Sequence, residues 1–185
     1  MVAPHLQSPN VGNYYIGRGY MTVQMQGETM YQDAGNTTLF EFDVKPTILP
    51  HFSTRQGVRT KDFTAVVQLE GTLRVTFDEL TARNLAMFML GTVRESPVAP
   101  DVVIDMFQTP QLFAAMIFQP TNTIGPQWKF VFPLVQLTPQ KALSLISAGT
   151  GEWGTVDLQA DILRDPVTQQ FCIATCLNFL ASGAP

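Results

Sequence analysis

At 185 residues the chain suits one domain at roughly 150 residues per domain, and a hydrophobic share of 45% is enough for one buried core. Charged residues make up only 14%, against a typical share of about 25%, and the net charge is -4. This balance argues against a nucleic-acid grip, which needs clustered Lys and Arg to release counterions, and favours an assembly that covers a weakly charged surface.

The opening MVAPHLQSPN has neither the basic residues nor the apolar stretch of a secretory signal, and no apolar run approaches the roughly 20 residues that span a bilayer. Cytoplasmic folding without a membrane partner is expected. Residues 1–17, rich in Pro, Asn and Gly, read as an extended arm. From Gly19 to Met25, alternation of Tyr20, Thr22 and Gln24 with Met21, Val23 and Met25 predicts a first strand.

Asp33, Gly35 and Asn36 predict a turn before a second alternating run, with Phe40, Phe42 and Val44 on an apolar face and Leu39, Glu41 and Asp43 on the other. From Pro46 to Phe63 the two prolines at 46 and 50 and a run of basic residues around Gly57 read as a long loop. Alternation resumes at Thr64, and Gly71 predicts a tight hairpin around Glu70 to Thr72.

The period then changes. Asp78 as cap, Glu79 in the first turn and Gly91 as stop predict a helix over 79–90. Its second half, Leu85 to Leu90, is apolar all round, so Leu85 and Phe88 are candidate subunit-interface residues. Further strands are expected at about 101–107, 111–118, 127–137, 142–147, 154–164 and 170–177, punctuated by prolines. The predicted fold is mainly β, an antiparallel sandwich or partly closed barrel with one flanking helix, as a single domain over 1–185.

Little in the chain points to catalysis or to a cofactor. Gly12, Gly17 and Gly19 precede a strand and lack the Gly-Lys-Ser/Thr ending of a phosphate loop. His5 and His51 have no metal-ligand spacing around them. Cys172 and Cys176, about 13 Å apart on a strand, cannot bridge each other and are expected as reduced core residues. No Gly-x-Ser-x-Gly elbow occurs, and the carboxylates Glu41 with Asp43 and Asp157 with Asp161 read as strand faces. A small β-barrel hydrolase is the weakest alternative.

The order of GNYYIGRGYMTV at 12–23, DAGNTTLFEFDV at 33–44, RTKDFTAVVQLEGTLRVTFDELTARNLAMFMLG at 59–91, LSLIS at 143–147 and VDLQADILRD at 156–165 resembles the major tail tube proteins of siphophages, over most of the chain. That resemblance implies a structural virion subunit, assembled in the host cytoplasm, whose hexameric rings stack around a tape measure protein between tail-tip initiator and terminator proteins. DNA would leave through the lumen without specific binding.

It also implies that the long loop clasps the adjacent ring. The apolar Ile48, Leu49, Phe52 and Val58 and the cations Arg55, Arg59 and Lys61 suit such a clasp. Glu41, Asp43, Gln68, Glu70, Asp157 and Asp161 are candidates for a lumen wall that repels phosphate. Other β-sandwich virion or injection-machine parts remain alternatives: a tail terminator, a capsid decoration protein or a contractile-system tube.

Overall fold

The computed structural model describes residues 13–55, 57–95, 101–145 and 153–177. Its strands are β1 (Gly19–Met25), β2 (Gln32–Asp33), β3 (Thr37–Ser53), β4 (Thr60–Phe77), β5 (Thr92–Glu95), β6 (Val102–Asp105), β7 (Leu112–Pro120), β8 (Trp128–Pro139), β9 (Val156–Ile162) and β10 (Ile173–Cys176). One helix, α1 (Ala82–Phe88), lies between β4 and β5. The main sheet runs β2-β1-β7-β8-β9-β4-β3, with β10 also on β8, while β5 and β6 form a separate pair. Every pairing is antiparallel.

Strand alternation builds the core. Met21 and Val23 of β1, Leu73, Val75 and Phe77 of β4, Leu137 of β8 and Leu158 of β9 all turn to one side and are buried. The sheet rolls around them. In a flat sheet β3 would lie four strands from β7, about 19 Å at the usual strand spacing. Instead the Phe40 ring of β3 stacks on Phe118 of β7 at 5.2 Å between centroids, and Phe42 meets Phe130 of β8 at 5.3 Å. The roll stops short of closure: between β1 and β3 lies an open cleft of roughly 1170 Å³, lined among others by Arg18, Gly19, Leu39, Glu41, Phe118 and Trp128. The architecture is therefore a mainly β, partly open sandwich with one short helix.

Local chemistry moves several predicted boundaries. The helix is capped by Thr81, whose hydroxyl accepts the Asn84 N–H at 3.1 Å; Asp78 instead accepts the Asn36 side-chain amide at 2.6 Å. Leu90, not Gly91, takes the left-handed conformation after the helix, at φ 49°. Gly91 serves a different need, because a Cβ there would stand 2.5 Å from the Asp105 carbonyl oxygen. Buried Asn84 ties α1 to the turn at 33–36 by donating to the Ala34 and Glu79 carbonyls.

Gly71 marks no turn. Strand β4 runs straight through it, and the missing side chain makes room for Ile162, whose Cδ1 would lie 2.9 Å from a Cβ. Residues 142–145 are not a strand, and 146–147, like His5, Gly12 and most of the predicted arm, lie outside the described residues. Residues 13–18, the rest of that arm with the residue that follows it, precede β1 without pairing as a strand. The cysteines are not core residues: Cys172 is exposed and Cys176 half-buried, because the chain around them forms the short outer strand β10 on β8. Strands β2 and β5 were not predicted; two residues and four residues are too short to show a period.

Candidate functional site

The segment 46–63 is the far end of a long hairpin rather than a loop. Strands β3 and β4 pair from Thr37–Phe77 out to Ser53–Thr60, leaving only a short turn between them. The prolines concealed the period. Val44, Pro46, Ile48, Pro50 and Phe52 are all even-numbered and share one face with Phe40 and Phe42. An edge strand admits proline because its missing N–H can face the open side, and β3 is the edge of its sheet.

Strand β4 pairs with β9 only from Thr72 to Phe77, so beyond Gly71 the hairpin is a two-stranded ribbon that no other strand among the described residues supports. Its apolar face continues the core face outward. Pro46 pairs with Leu69 and Ile48 with Val66, and a bulge leaves Val67 unpaired beside them. These side chains are uncovered, with relative exposures between 38% at Phe52 and 63% at Leu69. Near the end, Leu49 and Phe63 on the opposite face are exposed as well.

The tip carries charge. Arg55, Arg59 and Lys61 lie within seven positions, Arg59 stacking its guanidinium 4.6 Å from the centre of the Phe52 ring. His51 Nδ1 lies 2.6 Å from Asp62, the extra residue of a second bulge. All six residues of the predicted clasp, Ile48, Leu49, Phe52, Arg55, Arg59 and Lys61, therefore sit on the outer half of the ribbon.

The six lumen candidates share one face of the main sheet. Glu41 pairs with Arg74, Asp43 with Thr72, Lys45 with Glu70 and Thr47 with Gln68, while Thr72 and Thr76 pair in turn with Asp161 and Asp157. This face is polar but not purely acidic. Arg74 stands in the middle, Lys45 reaches Asp43 at 3.4 Å, and Lys141 reaches Asp157 at 3.5 Å. The Thr76 hydroxyl also donates to Asp157.

The helix does not look the same on all sides. Asn84, Ala86 and Met87 are buried, whereas Leu85 and Phe88 are half-buried, Phe88 resting against the core. The feature that sequence reasoning missed is the continuous apolar stripe of the ribbon. Its signal was present in the even-numbered positions from Phe40 to Phe52.

No protein-family model matches the chain, and no curated protein matches it. Among solved structures it is similar to a chain of the sheath–tube complex of an extracellular contractile injection system, PVC, seen in the extended state by cryo-electron microscopy. The two are 10% identical, with a TM-score of 0.47 over 89% of this chain and 93% of that one.

Proposed function

We propose that this protein is a non-enzymatic tube subunit of the siphophage major tail kind, forming hexameric rings that stack around a tape measure protein and enclose a channel for DNA. The observation that carries the reading is the uncovered apolar stripe of the β3–β4 ribbon, backed by a polar face that runs onto the main sheet. Such a ribbon has one side suited to a neighbouring copy and one suited to a water-filled channel.

Magnitudes set how assembly proceeds. Fully burying a Val, Leu, Ile or Phe side chain contributes about 1.5–3 kcal/mol. The stripe's Val44, Ile48, Phe52, Val66 and Leu69 are each roughly half exposed, so covering them yields about 4–8 kcal/mol. Association costs about 4–15 kcal/mol, so a single ribbon contact holds two copies weakly. A ring, in which each copy is gripped on two sides, overcomes that cost where a dimer does not. The polar face, with carboxylates interleaved among fewer cations, would leave DNA free to slide, because it offers no run of Lys and Arg to hold phosphate.

The test is negative-stain microscopy of the purified protein, concentrated alone and with tail-initiation proteins. Rings or tubes with a central hole are expected. A protein that stays monomeric under both conditions and is absent from purified tails overturns the reading, whereas shell-bound knobs would mark a decoration protein.

A further inference from the structure

The two ends of the whole β3–β4 hairpin carry opposite charge around exposed apolar side chains. The tip carries Arg55, Arg59 and Lys61 together with exposed Phe52 and Val58, Arg59 lying over the Phe52 ring, and no salt bridge among the described residues involves any of the three cations. The single carboxylate within the tip, Asp62, is held by His51. At the base, the turn at 33–36 gathers three carboxylates. Asp33 accepts the Gly35 N–H at 3.0 Å, Glu79 accepts the Asn36 N–H at 2.9 Å, and Asp78 accepts the Asn36 side-chain amide.

These hydrogen bonds fix the exposed Asp33 and Glu79 without neutralising them, whereas Asp78 is half-buried, with Oδ2 taken by Asn36 and Oδ1 shut off from solvent. No salt bridge among the described residues involves Asp33, Asp78 or Glu79, and the nearby cation Arg83 is committed to Glu28 at 2.6 Å. Apolar side chains flank this cluster as they do at the tip: Met30 and Tyr31 precede Asp33, Leu80 follows Glu79, and all three are exposed.

We propose that the tip of one copy docks on the base of a second copy, Arg55, Arg59 and Lys61 meeting Asp33 and Glu79 around an apolar centre of Phe52, Val58, Met30 and Leu80. This rests on the reading of the chain as self-assembling and names the surface that receives the hairpin. The contact is heterologous, since two different surfaces of one chain meet, and because they lie at opposite ends of one long hairpin it repeats into an open stack. Charge would set which copy docks and how fast, with the apolar centre supplying the hold. The geometry also bounds the stack: 17 residues of strand span about 55 Å, so copies in contact cannot be displaced along the tube by more than roughly that length.

Two measurements on the full chain test it. In the first, R59E/K61E should raise the protein concentration needed for tubes by about tenfold or more while leaving single rings, as expected when close charge pairs at a contact are reversed. In the second, wild-type tubes from mixed isotope-labelled and unlabelled subunits are treated with a zero-length carbodiimide, which joins amines to carboxylates. Intermolecular links from Lys61 to Asp33 or Glu79 are expected. Links from Lys61 only to Glu41, Glu70 or other carboxylates, or unchanged tube formation by R59E/K61E, overturn this docking while leaving the tube reading in place. A wild-type chain that forms neither rings nor tubes removes both.

Discussion

The inner and outer halves of the β3–β4 hairpin have the same alternation and very different surroundings. In the inner half, Leu73, Val75 and Phe77 are buried, with β9 beside them and the aromatic rings of β7 and β8 across the roll of the sheet. In the outer half, Ile48, Val66 and Leu69 occupy equivalent positions on the same face and stand in solvent. A strand's sequence therefore specifies a face, but it does not specify whether the cover comes from the same chain.

The sharpest way to break this comparison is one charge in each half. Leu73→Asp buries an unpaired carboxylate at a cost of several kcal/mol, comparable with a domain's whole stability of about 5–15 kcal/mol, so cooperative thermal unfolding should disappear from circular dichroism. Val66→Asp should shift the melting temperature by no more than a few degrees, because the site is exposed, yet abolish tubes in negative stain. Equal loss of folding in both variants would show that the outer half is covered by its own chain.

Removing residues 49–57 shortens the ribbon without touching the rolled sheet. The monomer should elute and melt like the wild type, since none of the described residues removed belongs to the buried core, and tubes should fail or fall apart into salt-sensitive rings. Tubes of normal length from this variant would show that the outer ribbon has no part in stacking.

The helix gives an intermediate case. Phe88→Asp should destabilise the monomer by about 2–4 kcal/mol in urea titration, because Phe88 packs on the core. Leu85→Asp should cost less and leave a folded chain. If that folded chain also fails to assemble, Leu85 lies in a subunit contact; normal tubes would place it on the outer wall.

The smallest effect belongs to the junction of the two halves. Gly71→Ala puts a methyl 2.9 Å from Ile162 Cδ1, the far end of a flexible side chain, and should lower stability by about 1 kcal/mol without altering assembly.

How much of this was legible depended on which residues carried the period. Strands with clean alternation, such as Gly19–Met25 and the run through Phe40, Phe42 and Val44, were readable because pleating places every second side chain on one face. Pro46 and Pro50 were read as breaks, although on an edge strand proline need not interrupt anything. Gly71 suggested a turn for a similar reason, when the need it meets is room for a side chain 91 positions away in sequence. The helix was readable, but Asp78 was assigned as its cap because nothing local revealed that Asn36 would claim it. The lumen candidates were all placed on one strand face or another from sequence. That these faces merge into one depends on the pairing of β4 with both β3 and β9, which no local pattern contains.

Pro46 and Pro50 have a further consequence for the chain on its own. An exposed, apolar edge strand is an invitation to cross-β growth, in which each new chain adds to unpaired N–H and C=O groups until an insoluble fibre forms. Two prolines four residues apart take away donors from that edge at regular intervals, and the bulge at Val67 twists the ribbon beside them. The edge that the proposed assembly would use is thereby made a poor template for disordered growth.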